Sequence, residues 1–87
     1  MVTVRPGLEA ALREQVLRLA HERGPTKTLC PSEAAGAVDP DRRRELTRVA
    51  REVACTLADE GIVVVTQGGV VVDGRTATGP VRVRLCP

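Results

Sequence analysis

At Gly61 the hydrophobic period of the chain changes, and that change restricts the fold more than any other feature. Before it, apolar residues recur three and four positions apart, the spacing that gathers them on one face of a helix. After it, Ile62 to Thr66 is β-branched throughout, and Val81, Val83 and Leu85 alternate with Arg82 and Arg84. Such alternation marks a half-buried strand. A helical part followed by a sheet part is expected. The 87 residues allow one domain, 1–87, with an ordered core over about 8–85.

Glycine and proline divide the helical part. Leu8 to Arg23 reads as a first helix, with Leu12, Val16 and Leu19 on one stripe. Glu9 with Arg13 and Glu14 with Arg18 are expected as outer-face pairs in the favourable order. Gly24-Pro25 ends it as a glycine cap followed by a proline. Thr26 to Leu29 is too short for a helix and reads as a brief extended piece. Cys30-Pro31-Ser32-Glu33 opens a second helix over about Ser32–Val38, because proline suits a first turn and Glu33 suits the helix dipole. Its Ala34-Ala35-Gly36-Ala37 run lets another helix approach closely. Asp39-Pro40 is a second start signal, and a third helix is expected from about Asp41 to Glu60. Leu46, Val49, Ala50, Val53, Ala54 and Leu57 form its inner face, and Gly61 caps it.

Gly68-Gly69 reads as a tight turn between strands at 62–66 and 70–72. Asp73 to Gly79 is a polar loop before the strand at 81–85. Two pairings stay open: a three-stranded meander, or residues 62–66 against 81–85 around a long tip. The order of helix, short extended piece, two helices and a β-hairpin is that of a winged helix-turn-helix. The expected class is α+β, mainly α, with three helices followed by a β-hairpin wing. A three-helix protein carrying an unrelated β-ribbon is the competing reading.

Three stretches also resemble a known family. They are Thr28-Leu29-Cys30-Pro31-Ser32-Glu33, then Gly61 to Gln67 against a Gly-x-Ile-x-Val-Thr-Gln pattern, then Gly79-Pro80-Val81-Arg82 against Gly-Pro-Ile-Arg. Together they resemble the bacterial family catalogued as domain of unknown function three-two-five-three, over about Leu8 to Leu85. The resemblance implies a winged-helix fold. It also shows a departure: the family places a Trp before an Arg early in the third helix, where this chain has Arg43-Arg44. If that Trp is a core anchor, Arg43 is expected along the domain edge, its stem covering apolar surface; if that Trp carries the family's function, the departure removes it here.

The chain contains no Phe, Trp or Tyr. Its core must be aliphatic, and recognition by stacking bases on aromatic rings is excluded. The formal net charge of +2 says little by itself about partners. Cys30, Cys55 and Cys86 stand far apart without a Cys-x-x-Cys pair, and His21 has no partner at ligand spacing. No metal site is expected, since zinc needs about four N/S ligands. No cofactor is implied. Met1 to Gly7 lacks the run of a secretory leader, and no stretch is long and apolar enough to span a membrane. Reduced thiols in the cytoplasm are the simplest expectation.

The chemistry-bearing feature is the outer face of the third helix. Residues 42–51 hold five arginines against one acid, Glu45. Arg44, Arg48 and Arg51 share one face at spacings of four and three, suited to phosphates or guanine edges in a major groove. A solvated surface in an arginine-using chain is the plainer account. On the wing, Arg75, Arg82 and Arg84 are candidates, Arg82 as support; Arg84 is expected only to blunt an exposed strand. Cys55 falls on the arginine face by helical spacing and is expected exposed, and Cys86 belongs to a tail expected to fray. Cys30, at a helix start beside Ser32, is the one enzyme-like residue. It lacks an evident base, so a buried structural thiol is favoured.

The expected function is duplex DNA binding through Arg44, Arg48, Arg51 and Arg82, without catalysis. A protein-interaction module on the same fold is the alternative, and a thiol-based sensor or enzyme at Cys30 is remote. Oligomeric state is not legible.

Overall fold

The computed structural model describes residues 6–87; most of the stretch read for a leader lies outside them. Helix α1 (Pro6–Arg23) leads to α2 (Pro31–Val38), a single 3-10 turn (Pro40–Arg42) and α3 (Arg43–Asp59). Strands β1 (Val63–Gln67), β2 (Val70–Val71) and β3 (Arg82–Leu85) follow. The expected class holds: a mainly helical α+β domain whose helices precede a three-stranded antiparallel sheet, compatible with a winged helix bearing a β wing.

The helices end where sequence chemistry ends them. The amide of Asp39 donates to Ala35 O at 3.0 Å, closing α2. The Asp39 carboxylate then accepts from the Asp41 amide at 3.1 Å, which starts the 3-10 turn at Pro40. The third helix therefore begins at Arg43, two residues later than expected, because a 3-10 turn fills the junction. Gly61 takes φ 80°, a left-handed value that favours glycine, and turns the chain back into β1.

The sheet order is β2-β1-β3. Val63 to Thr66 pair with Leu85 to Arg82, and Thr66 and Gln67 pair with Val71 and Val70. The second of the two pairings considered is thus the real one, with β2 as a short flap on the far edge of β1. Gly68 and Gly69 both have positive φ, as a two-residue hairpin turn requires. Leu29, in the piece read as extended, bridges β3 from the other side: its amide and carbonyl bond those of Val83 at 2.7 and 2.8 Å. The end of the chain is also held. The Cys86 amide, in the stretch expected to fray, donates to Ile62 O at 3.0 Å.

The core is aliphatic throughout. Leu12, Val16, Leu29, Leu46, Leu57 and Val83 are almost wholly buried. Each such side chain contributes roughly 1.5–3 kcal/mol on burial. Ala34 and Ala35 are fully buried, and these small side chains let α2 sit close to α3. On the inner face of α3, Leu46, Ala50, Ala54 and Leu57 are buried while Val49 and Val53 are half-buried.

The charged surface differs from the pairing expected along α1. Arg13 reaches across to Glu60, donating from both terminal nitrogens at 3.2 and 2.7 Å. Arg18 pairs with Glu22 at 2.8 Å and with Gln15. Arg13 makes two parallel bonds to this one carboxylate across the α1–α3 gap, the forked geometry that strengthens an arginine–carboxylate pair.

A candidate nucleic-acid interface on the third helix

The outer face of α3 has two halves. Over its C-terminal half lies the loop between β2 and β3. Arg75 pairs with Asp59 at 2.9 Å at the lower end of the helix. One turn up, Gly74 rests on the side chains of Cys55 and Val65. A further turn up, Arg51 donates through Nε to Gly74 O at 3.0 Å, through Nη1 to Gly79 O at 2.8 Å, and through Nη2 to Ala77 O. Asp73 shapes the start of the loop: its carboxylate accepts from the Arg75 amide, and its carbonyl accepts from the amides of Thr76 and Ala77. Gln67, at the end of β1, donates from Nε2 to Thr78 O and Pro80 O.

Cys55 is consequently buried, at 2 % exposure, and not on an open face. Helical spacing placed it correctly on the helix; the loop then covers that part of the face. Burial pushes its thiol above the ordinary range.

Among the described residues none covers the N-terminal half. Arg44 and Arg48 are exposed there, one turn apart. Neither has an ion-pair partner among the described residues, whereas Arg42 is paired with Glu45 at 2.8 Å. Arg43 is exposed too, and its stem runs within van der Waals reach of where a Cβ on Gly36 would stand. That is the edge position expected for an arginine in the place of the family's Trp. Arg82 is exposed on β3, with Nε donating to Thr28 Oγ1 at 2.9 Å. Its charge helps to lower Glu33, so it belongs to a second cluster at the start of α2. Arg84 stands 3.5 Å from the Pro25 carbonyl.

That second cluster was only partly visible beforehand. Glu33 accepts from both terminal nitrogens of Arg23 at 3.0 and 2.6 Å, and from the Cys30 amide at 2.9 Å. Arg23 also donates to Thr28 O. Arg23 was not singled out from the sequence, because its partner is ten positions away across a turn. Cys30 is half-buried, and Ser32 Oγ lies 3.1 Å from its sulfur. No described base hydrogen-bonds that sulfur. His21 is exposed on α1. Among the described residues no group of three or more His, Cys, Asp or Glu side chains is placed to hold a metal ion, and no helix is long and apolar enough to cross a membrane.

Fold and face together define the class: a helical domain with a wing-like sheet, whose third helix carries exposed arginines without an ion-pair partner among the described residues. The chain belongs to the family described as protein of unknown function (DUF3253), whose family model matches residues 9–86. The search among curated proteins returned no match.

Proposed function

We propose that the protein binds duplex nucleic acid, DNA in the first place, through the uncovered N-terminal half of α3. Arg44 and Arg48 make the primary contacts, with Arg43 beside them, the hairpin flanking the groove and Arg82 in support. The observation that carries this reading is the state of Arg44 and Arg48: both exposed, neither neutralised by a described carboxylate. Two such cations on one helix face can each contact a backbone phosphate and displace counterions on binding. The role is one of recognition in the cytoplasm, with no catalytic step and no cofactor.

A fluorescence-anisotropy titration with a random duplex, repeated over a salt series, tests it. The double replacement of Arg44 and Arg48 by Ala is expected to weaken binding about tenfold and to reduce the salt slope by about 1.8, two phosphate contacts at about 0.9 each. Arg18→Ala, on α1 and already paired, serves as the control. A folded double variant with wild-type affinity would reject this face. No duplex binding by the wild type even at low salt would reject the reading.

One observation favours a protein-interaction role instead. Val70 and Val71, on the edge strand β2, are 65 % and 58 % exposed, and large apolar side chains are usually covered by something. A stoichiometric protein partner lost on Val70→Lys, Val71→Lys replacement would establish that alternative.

A further inference from the structure

We propose that Arg51 is a positioning residue: it fixes the loop of residues 73–79 along α3 and thereby sets the boundary of the arginine site, without itself touching the ligand. This rests on the duplex-binding reading for its functional consequence.

Three observations converge. The guanidinium donates to three backbone carbonyls, those of Gly74, Ala77 and Gly79, which lie at both ends and in the middle of the loop. A guanidinium presents its five N–H groups in a rigid plane, so three acceptors gathered on it are held in fixed mutual positions. An ammonium group offers no such plane. Next, the loop has no strand ladder of its own between Val71 and Arg82. Its attachment to α3 depends on Arg51, on the Arg75–Asp59 pair and on the seat of Gly74 against Cys55. Finally, Arg51 stands on the same helical stripe as Arg48 and Arg44, one turn below Arg48 and two below Arg44. The limit of the covered face therefore falls between Arg51 and Arg48, with Gly79-Pro80 at the rim.

A duplex laid on Arg44 and Arg48 would meet that rim. Held in place, the rim forms a preformed wall; released, it must be ordered at the moment of binding, which costs affinity. Arg51 thus acts on the ligand through the loop.

The test compares Arg51→Lys with Arg51→Met in the full chain. Amide exchange at Thr76 and Ala77 is measured in the protein alone, with core amides such as that of Leu57 as an internal standard for global stability. Duplex affinity is measured over a salt series. Both variants are expected to lose about tenfold in loop protection relative to the core and about tenfold in affinity, with the salt slope unchanged. If Lys retains affinity while Met lowers the slope by about 0.9, Arg51 is a direct phosphate contact and the inference falls. It falls equally if loop protection in Arg51→Met matches the wild type. If the wild type binds no duplex, the reading of the arginine site fails by itself, and the exchange measurements still decide whether Arg51 positions the loop.

Discussion

Gly74→Val is expected to destabilise the domain by about 3 kcal/mol, the upper end of the usual cost of overpacking a filled interior. Gly74 is buried, and a Cβ added there would stand 2.8 Å from Cys55 Sγ and 3.1 Å from Val65 Cγ1. Both neighbours are themselves buried, so neither can swing into solvent. The backbone of Gly74 is not left-handed, which leaves steric crowding as the cause. A domain of this size has a total stability of about 4–13 kcal/mol, so the loss is a large share of it. Thermal melting followed by far-UV circular dichroism should fall by about 12–24 °C. Adding Cys55→Ala removes the sulfur that the new side chain strikes. The double variant is expected to recover about 1 kcal/mol relative to the sum of the single changes. Strict additivity would show that the Gly74–Cys55 contact is not what limits the site.

Glu33→Ala is expected to cost about 2 kcal/mol at neutral pH and to remove most of the acid sensitivity of the fold. The Arg23 guanidinium holds the Glu33 carboxyl at about 2, down from the usual 4.5, and the Cys30 amide adds to the effect. A carboxylate lowered in the folded state contributes stability that is complete above its unfolded value. That stability is lost as pH falls from 4.5 towards 2. The full shift would correspond to about 3.4 kcal/mol, reduced to about 2 because a third of the side chain remains in contact with water. Denaturant midpoints measured at neutral pH and near the lower end of this window check the sign. The wild type should lose stability over that interval, and Glu33→Ala and Glu33→Gln should lose much less. Gln keeps an oxygen for the Cys30 amide, so it should be milder than Ala at neutral pH. An acid limb unchanged in both variants would place the sensitivity elsewhere.

The elements of this fold were legible because their boundaries are chemical. Gly24-Pro25, Cys30-Pro31, Asp39-Pro40 and Gly61 each do at the backbone what their residue types suggest, and the helices end within about two residues of them. The aliphatic rows of α1 and α3 were legible for the same reason, since periodicity reports which face meets a core. The state of the arginines was less so. Spacing put Arg44, Arg48, Arg51 and Cys55 on a common face, and they are. What spacing lacks is the path of a loop that follows twenty or so positions later. Arg51 is held by carbonyl oxygens, which every residue carries, so no side-chain pattern announces them. Arg23 and Glu33 leave a fainter trace: an acid at a helix start is recognisable, but the cation that reaches it across a turn is set by tertiary distance. Pairing among the strands was open because alternation specifies a face and not a neighbour.

The seating of β3 also governs when this domain can form. It lies between β1 on one side and Leu29 on the other, and Arg82 bonds Thr28 across 54 positions. Closing so long a segment carries an entropic penalty that no local contact offsets beforehand. The α-helices can assemble early from nearby contacts, yet the sheet gains its middle partnerships only when the last strand arrives. Until then β1 presents an open, valine-rich edge, and the interval before β3 docks is when a nascent copy is most exposed to pairing with another.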